Sequence, residues 1–496
     1  MPRRPAMAVI TRPDDPTDLL RPGILIGGQW RHTGTGGQRE HVDPGTGRVQ
    51  QTFALADAAE VDDAVAAARA ALPEWRRWPT DRRREVLTRL GDLIRANAAE
   101  LAAINALEVG TPAALSHGRY TTGQTFFDYY AGWLDKATGD SLRMPGALDL
   151  TLLEPVGVVG AILTWNHPLA NMQTTVAPAL AAGCTVIVKP PEQAPFAALR
   201  FGRLCAEAGL PPGVVNVLPG GPAVGDALVR HPDIDKIGFV GGPATASRIQ
   251  AAAAPTLKPL LLELGGKSAS LVFPDADLDR ACRLALLITA NSGQGCTIPT
   301  RMFVHDDVYD QVLDRLVGGI GAVTVGDPFD PTVQMGPLID AAARDRVVEV
   351  IDRARRDGAG DLVLGGHRLG GELADGCYVA PTVFSDVDPH SELATEEIFG
   401  PVLSVCRFHD EAEAVEAANA SRYGLAGYVH TRDVDRALRI ASALDVGNVG
   451  VNGAGAPAGP FAPFGGVKQS GYGKVGGLAG LLEFSRIKNV LLAVDE

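Results

Sequence analysis

The stretch Val156–Leu163 reads VGVVGAIL, a continuous run of apolar residues and glycines. Such a run is typical of a strand that is buried on both faces of a parallel sheet. It ends abruptly in the sequence TWNHP (residues 164–168), and a helical pattern follows over residues 172–182. The stretch therefore predicts a buried strand, a polar turn and a crossover helix.

The same alternation continues along the chain. Runs at 185–188, 214–218 and 236–241 predict further strands, and helical patterns separate them. Strands that alternate with helices form a parallel α/β sheet with right-handed crossovers. Ligands bind beyond the carboxyl ends of the strands in such sheets. The residues expected at these ends are Asn166, Lys189, Glu192, Gly221 and Gly241.

The second half of the chain repeats this class of pattern. Apolar runs at 301–304, 379–384, 402–408, 427–430 and 449–452 predict strands, and the pattern indicates a second α/β domain. Two other segments have distinct patterns. Residues 141–154 predict a protruding hairpin, an exposed edge that can pair with a partner chain. The glycine-rich stretch 456–479 predicts a loop over a pocket mouth, anchored by Phe461 and Phe464.

The length and composition of the chain indicate how many domains it has and argue against several classes of protein. A chain of 496 residues allows about three domains at roughly 150 residues each. The net charge of -13 argues against nucleic acid or an anionic membrane as a general partner. No apolar run approaches the ~18 residues of a membrane span. Residues 1–20 are basic at the start and broken by prolines, without an apolar signal region, so we expect a poorly ordered leader.

The six cysteines are scattered, and no pair has a Cys-x-x-Cys spacing. We therefore expect neither a metal site nor a redox motif, and we expect reduced thiols in a cytoplasm. Cys296 lies in the small-residue loop GQGC, 33 positions after Glu263, which precedes Gly265 and Gly266. A thiol and a carboxylate together permit covalent catalysis. Each feature alone has an ordinary structural explanation. Cys296 could be a buried core cysteine, and the glycine pair after Glu263 could be a turn at the end of a strand.

Seven short motifs follow one another along the chain. They are WNHP (165–168), KPPE (189–192), FVGG (239–242), ELGGK (263–267), GQGC (293–296), EEIFGP (396–401) and PFGG (463–466). In these motifs, their order and their spacing, the sequence resembles the aldehyde dehydrogenase superfamily from about residue 24 to its end.

The resemblance implies a fold and a reaction. The expected fold has a Rossmann-like parallel-sheet cofactor domain (21–132 and 151–262), an α/β catalytic domain (263–455) and a small β element for oligomerisation (133–150 and 480–496). Residues 456–479 would form the substrate-pocket loop. The reaction would oxidise an aldehyde to an acid with NAD, in a homodimer or homotetramer.

The resemblance also implies roles for single residues. Cys296 would attack the aldehyde carbon as a thiolate, and the Asn166 amide and the Cys296 N–H would meet the oxyanion. Glu263 would activate the water that releases the acid. The expected cofactor-binding residues are Thr164, Trp165, Lys189, Glu192, Gly221, Gly225, Gly241, Gly242, Leu264, Gly265, Glu397 and Phe399.

Glu192 bears on the choice of cofactor. A carboxylate accepts hydrogen bonds from ribose hydroxyls and repels a 2′-phosphate, so NAD is expected over NADP. Several of the expected functional residues could instead have a purely structural role. Lys189 and Glu192 can form a surface ion pair, Asn166 can cap a helix, and Glu397 can be a solvated helix acid.

The sequence departs from the family pattern at several positions. Val240, Gly242, Pro243 and Ala246 replace a threonine, a serine, a threonine and a glycine of the phosphate loop, so backbone N–H groups would have to hold the diphosphate. Thr175 and Val475 replace a common lysine and glutamate, which leaves Glu263 as the clear base. The expected substrate-pocket residues are His167, Gly295, Thr297 and Phe461.

Gly295 would widen the pocket, because many family members have a bulkier residue there. We therefore expect a bulky hydrophobic or aromatic aldehyde. Two alternatives stay open. A coenzyme-A-acylating enzyme usually lacks the glutamate at 263, and a catalytically silent scaffold would not need Asn166, Glu263 and Cys296 together.

Overall fold

The computed structural model describes residues 10–121, 125–455 and 459–494. The strands are β1 (Ile24–Ile26), β2 (Gln29–Arg31), β3 (Gln38–Val42), β4 (Val49–Ala54), β5 (Ser141–Met144), β6 (Ala147–Pro155), β7 (Val158–Ile162), β8 (Thr185–Lys189), β9 (Val215–Val217), β10 (Lys236–Val240), β11 (Leu260–Glu263), β12 (Ala269–Val272), β13 (Arg301–His305), β14 (Asp361–Leu364), β15 (Thr382–Ser385), β16 (Val402–Phe408), β17 (Tyr423–Gly424), β18 (Ala426–His430), β19 (Asn448–Val451), β20 (Val467–Lys468), β21 (Gly471–Tyr472) and β22 (Ser485–Ala493).

Helices connect most of these strands. The α-helices are α1 (Ala58–Arg77), α2 (Thr80–Ala96), α3 (Ala98–Val109), α4 (Ala113–Thr121), α5 (Phe126–Ala131), α6 (Pro168–Ala182), α7 (Phe196–Ala208), α8 (Pro222–Arg230), α9 (Pro243–Ala253), α10 (Leu278–Ala285), α11 (Tyr309–Gly321), α12 (Ala341–Asp357), α13 (Glu392–Thr395), α14 (Glu411–Asn419), α15 (Val434–Ala443) and α16 (Gly477–Leu482).

The predicted α/β sheet is confirmed. Its strand order is β2-β1-β9-β8-β7-β10-β11-β21, and strands β7 to β11 are parallel. Every residue of β7 and β8 is buried, since helices cover both faces of the sheet. α6 begins with Pro168 and ends at Gly183, whose left-handed backbone (φ 97°) suits glycine. This geometry gathers the strand ends at one edge of the sheet.

The edge strand β21 was not expected. It pairs antiparallel with β11, with Gly471 opposite Glu263. Part of the segment assigned to the pocket loop therefore completes the first sheet. Residues 456–458 of that segment lie outside the described residues.

The second α/β domain is also confirmed. Its seven strands have the order β14-β15-β16-β13-β12-β18-β19, and β14 is the antiparallel edge. β12 follows directly on the segment that carries Glu263, so the two sheets are joined at the proposed catalytic residues. The predicted strands at 402–408 and 427–430 correspond to β16 and β18.

The predicted hairpin at 141–154 is formed by β5 and β6, and β22 pairs with β6 to complete a three-stranded sheet. β6 continues to Pro155, one residue beyond the predicted hairpin and five residues beyond position 150, where the oligomerisation element was expected to end. Apolar side chains of this sheet are exposed, including Leu142, Ile487 and Leu491. Assembly through this sheet stays a prediction.

The leader differs from the expectation where it is described. Leu20 is fully buried in the core of the first domain, and Arg12 forms ion pairs with Asp43 and Asp327 at 2.6 and 3.0 Å. Residues 10–20 therefore pack on the protein, because an apolar side chain and a paired guanidinium hold them there. Residues 1–9 lie outside the described residues. None of the helices described is both long and apolar enough to cross a membrane.

Candidate active site

The loop before Cys296 has an unusual backbone. Asn291, Ser292 and Gly293 have φ values of 49°, 55° and 73°, the left-handed region that side chains other than glycine rarely adopt. Asn291 accepts a hydrogen bond from Thr111 Oγ1 at 2.6 Å, and Ser292 donates to the Gly336 carbonyl at 2.7 Å. Such strain persists where the surroundings hold it, and it occurs often at functional sites.

Two further contacts fix this loop. A side chain at Gly293 would begin 2.1 Å from the Gly400 carbonyl oxygen, so only glycine fits. The Gln294 side chain is fully buried, donates to the Asn291 carbonyl at 3.0 Å and accepts from the Ile339 N–H at 2.9 Å. The loop is therefore held in one conformation before any ligand binds.

Asn166 is brought to this loop. Its side-chain Nδ2 donates to the backbone carbonyl of Gln294 at 3.0 Å. The backbone carbonyl of Asn166 accepts from Asn291 Nδ2 at 2.9 Å. The amide nitrogen carries a second hydrogen that this bond leaves free. Asn166 does not cap α6, because the N-cap residue of that helix is His167.

Cys296 lies against the segment that follows Glu263. A side chain at Gly266 would begin 2.3 Å from the Cys296 carbonyl oxygen, so glycine is required for this approach. Burial, together with the carboxyl groups of Glu397 and Glu263, raises the pKa of the Cys296 thiol to about 12. The thiol is therefore protonated at neutral pH in the ligand-free protein.

Glu263 ends β11 and is 7% exposed. Within the described part of the chain, neither of its carboxyl oxygens has a hydrogen-bond partner. Burial raises the pKa of Glu263 well above its usual range, the charge of Lys474 opposes this shift, and Glu483 adds to it. A buried carboxyl group without a partner is costly, and strongly shifted groups of this kind cluster at functional sites.

Glu397 lies on the same glycine pair. Its Oε1 accepts from the Gly266 N–H at 3.0 Å, and a side chain at Gly265 would begin 2.1 Å from its Oε2. Glu397 lies beyond the end of α13 and is partly buried, so it is not a solvated helix acid. Burial raises the pKa of Glu397, whereas the Gly266 N–H and Lys267 lower it.

Two aromatic rings meet beside these groups. Trp165 and Phe399 are in edge-to-face contact, with ring centroids 5.4 Å apart. Phe399 has a left-handed backbone (φ 54°). The structure therefore brings together the two aromatic residues that were expected to bind the cofactor. Thr164 precedes Trp165 and is partly buried.

Lys189 and Glu192 form an ion pair at 3.5 Å beyond the end of β8. The Lys189 side chain is only 8% exposed, so the pair differs from an ordinary surface ion pair. Burial lowers the pKa of Lys189 and the charge of Glu192 opposes this. Gly221 is the N-cap of α8, and Gly225 lies in its first turns facing Ile162.

The phosphate loop offers fewer donors than expected. Gly242 is the N-cap of α9, Pro243 has no N–H, and the N–H groups of Thr245 and Ala246 already bond to the Gly242 carbonyl. The space beside Gly241 is filled by the Phe239 ring. A groove of about 520 Å³ adjoins this turn, and its lining includes Gly242, Leu264, Arg422, Lys468 and Tyr472.

Two of the expected substrate-pocket residues, His167 and Thr297, are held by hydrogen bonds to neighbouring side chains. His167 Nδ1 lies 3.2 Å from Arg119 Nη1. Burial and the Arg119 charge lower the pKa of His167 to about 3, so the neutral ring accepts this hydrogen bond. The Thr297 carbonyl accepts from the Tyr428 hydroxyl at 2.7 Å.

Gly295 does not leave open space, contrary to the expectation. A side chain there would begin 2.8 Å from Ile298 Cδ1, so Ile298 occupies the volume. Phe461 does not anchor its loop, because it is 68% exposed. The other expected anchor, Phe464, does hold the loop, through backbone hydrogen bonds of 2.7 and 2.8 Å with Val475.

Sequence reasoning gave no role to several residues at the site. Thr111, Asn291 and Gln294 hold the Cys296 loop, and Lys474 lies near Glu263. The polar residues between small ones in 291–294 were a signal for such a loop. Thr111 offered none, since it lies 180 positions from its partner. Thr175 and Val475, the two departures, are both buried and uncharged.

The described residues contain no group of three or more His, Cys, Asp or Glu side chains that could hold a metal ion. The arrangement at Cys296 combines a nucleophile, an amide donor and an unpartnered carboxyl group. These are the parts that acyl transfer through a thioester requires.

Comparison with known proteins agrees with this chemistry. The chain is 42% identical over 475 residues to an aldehyde dehydrogenase of Enchytraeus buchholzi, which covers 94% of this chain and 95% of that protein. It is 40% identical to human retinal dehydrogenase 2, over 95% of this chain and 92% of that protein.

Solved structures are equally similar. Betaine aldehyde dehydrogenase from Staphylococcus aureus, in complex with NAD⁺, superposes with a TM-score of 0.93 at 32% identity, covering 97% of both chains. PnpE from Pseudomonas sp. WBC-3 gives a TM-score of 0.93 at 38% identity, over 96% of this chain and 98% of that one. The model of the aldehyde dehydrogenase family matches residues 30–490. The chain therefore belongs to the aldehyde dehydrogenase family.

Proposed function

We propose that this aldehyde dehydrogenase oxidises its substrate to a carboxylic acid with NAD, through a thioester on Cys296 that Glu263-activated water hydrolyses. One observation carries the proposal. The segment after β11 packs against the Cys296 loop so closely that Gly266 has no room for a side chain beside the Cys296 carbonyl. The effect of the Glu263 carboxyl group on the pKa of the Cys296 thiol supports a site that the two residues share.

In the first step, the Cys296 thiol would give its proton to solvent, and the sulfur would bond to the aldehyde carbon. The carbonyl oxygen becomes an oxyanion. The free hydrogen of Asn166 Nδ2 and the Cys296 N–H are the donors that we assign to it. Removing one such donor typically costs on the order of 100-fold in rate.

The residues present fit a dinucleotide. Lys189 and Glu192 would hold the adenosine ribose, Glu397 the nicotinamide ribose, and Leu264, Trp165 and Phe399 would lie beside the ring. When bound, NAD would accept the hydride from the thiohemiacetal carbon. Two structural neighbours were solved with NAD, which supports this cofactor.

In the last step, Glu263 accepts a proton from a water molecule whose oxygen bonds to the thioester carbon. The carbon–sulfur bond breaks, the acid leaves, and Glu263 passes the proton to the Cys296 thiolate, which restores both the thiol and the carboxylate. Glu263 is suited to this role because neither of its oxygens is engaged by another described residue.

The substrate is expected to be a bulky hydrophobic or aromatic aldehyde. One argument for a bulky substrate was a pocket widened at Gly295. That argument is removed, because Ile298 fills the volume beside Gly295. The relatives act on different aldehydes by name, including retinal and betaine aldehyde. We also infer a cytoplasmic homodimer or homotetramer, for which the exposed apolar residues of the β5-β6-β22 sheet are the support.

The test follows the absorbance of reduced nicotinamide with NAD or NADP. Aliphatic, aromatic and terpenoid aldehydes are offered to the wild type and to Cys296→Ala. We expect turnover with NAD that is lost in the variant. Activity that survives Cys296→Ala would contradict the assigned nucleophile. Turnover that requires added coenzyme A would indicate a thiol-resolved thioester instead of hydrolysis.

A further inference from the structure

Glu263 needs a charge partner that no direct contact supplies. Its carboxyl group is buried, and the structure describes no cation within ion-pair distance of it. A general base must be ionised to accept a proton, and burial without a nearby positive charge works against this. The residues at 175 and 475 are uncharged and buried, so they do not provide one.

Lys474 is the cation that faces this group. Its Nζ donates to the Gly465 carbonyl at 2.9 Å. A side chain at Gly465 would begin 2.8 Å from Glu263 Oε1 and 3.0 Å from Lys474 Cδ. The two atoms are thus at most 5.8 Å apart, the sum of these distances. The missing side chain of Gly465 is what allows the carboxyl group and the lysine stem to meet.

The surroundings permit the ammonium group to move. The Gly465 carbonyl also accepts from Asn448 Nδ2 at 3.2 Å, so it keeps a donor if Lys474 turns away. The backbone of Lys474 is held independently, because its N–H donates to Glu483 Oε1 at 3.0 Å. Glu483 is itself paired with Lys236 at 2.7 Å, which leaves the Lys474 side chain free to serve another acid.

We propose that Lys474 is a positioning residue of the proposed reaction, whose ammonium group turns between the Gly465 carbonyl and the Glu263 carboxylate and keeps Glu263 ionised during thioester hydrolysis. Other charged groups oppose it. Glu483 and the Cys296 thiolate, when formed, both disfavour a charge on Glu263. The positive charge of Lys474 offsets these two negative charges and favours the ionised form of Glu263. This assists hydrolysis of the thioester, whereas the attack of Cys296 on the aldehyde does not require Lys474.

The proposal rests on the proposed function, and its test separates the two. p-Nitrophenyl acetate acylates a reactive thiol without NAD, so a nitrophenolate burst reports acylation and the steady rate reports hydrolysis. Both are measured against pH for the wild type, Lys474→Met, Lys474→Arg and Lys136→Met. Lys136 is an exposed lysine paired with Asp135 and serves as the control.

We expect Lys474→Met to keep the burst but to move the acidic limb of the steady rate upward by about one pH unit, roughly a tenfold loss below the midpoint. Lys474→Arg and Lys136→Met should keep the wild-type profile. An unshifted profile in Lys474→Met, or an equal shift in Lys474→Arg, would overturn the role of Lys474. Absence of any nitrophenolate release from the wild type that depends on Cys296 would overturn the proposed function instead. Thermal melting checks folding, and Lys474→Gln replaces the methionine variant if that one unfolds.

Discussion

The Gly266 N–H donates to Glu397 Oε1 at 3.0 Å, which fixes a carboxyl group of the catalytic domain on the chain segment that leaves the first sheet. Gly265 faces the same carboxyl group with no room for a side chain. The backbone after Glu263 and the side chain of Glu397 therefore form one unit. A change in either one displaces the other.

This unit leads to a prediction for cofactor binding. In Gly265→Ala the new methyl group would begin 2.1 Å from Glu397 Oε2, so Glu397 must leave its place. We expect NAD affinity to fall about tenfold, or ~1.4 kcal/mol, because a ribose acceptor is lost. Quenching of protein fluorescence by NAD measures this. Gly370→Ala is the matched control, since its added methyl group meets nothing within 4 Å. Equal affinities in the two variants would contradict a role for Glu397.

A second prediction concerns the backbone before the nucleophile. Alanine at Gly293 would meet the Gly400 carbonyl at 2.1 Å and would adopt a left-handed φ of 73°. We expect Gly293→Ala to lower kcat at least tenfold and to lower the melting temperature by several degrees. Gly318→Ala, within α11, meets nothing and should stabilise the protein by up to ~1 kcal/mol. Wild-type kcat in Gly293→Ala would show that the loop tolerates another conformation.

The thiol of Cys296 gives a prediction for pH dependence. Because burial and two carboxyl groups raise its pKa to about 12, the thiolate forms only as the pH rises towards that value. We expect the rate of iodoacetamide labelling at Cys296 in the ligand-free enzyme to keep rising beyond pH 10. The labelling rate of an ordinary thiol, by contrast, has its midpoint near ~8.5 and levels off by about pH 10. Mass spectrometry of the Cys296 peptide follows the rate. A plateau below pH 8 would show that the resting site already holds a thiolate.

The ion pair beyond β8 gives a prediction for cofactor choice. Glu192 carries a negative charge near the expected adenosine ribose, and it would repel a 2′-phosphate. We expect Glu192→Gln to raise the NADP-to-NAD ratio of kcat/KM several-fold, on the order of 1 kcal/mol. Glu207→Gln on α7 is the control, because that glutamate is exposed and paired with Arg200. A ratio that does not change would place the ribose elsewhere.

Much of the fold and part of the site followed from local patterns. The runs that became β7, β8 and β10 are apolar on both faces, and this requires cover by helices. Lys189 and Glu192 lie three residues apart, so their pairing at the strand end is a local property. Of the two expected anchors of the glycine-rich loop, Phe464 is held by Val475 and Phe461 is exposed. The space expected beside Gly295 is taken by Ile298 through a contact that a sequence does not display.

The sequence by itself determined the alternation of strands and helices, because apolar periodicity and glycine turns act over a few residues. Only the tertiary structure decided which polar groups meet. Thr111 bonds to Asn291 across 180 positions, and the Lys474 side chain lies near Glu263 because Gly465 lacks a side chain between them. Such contacts depend on how the two sheets pack against each other, and packing is set by the whole chain. The chemistry of Glu263 is therefore a property of the fold as well as of its carboxyl group.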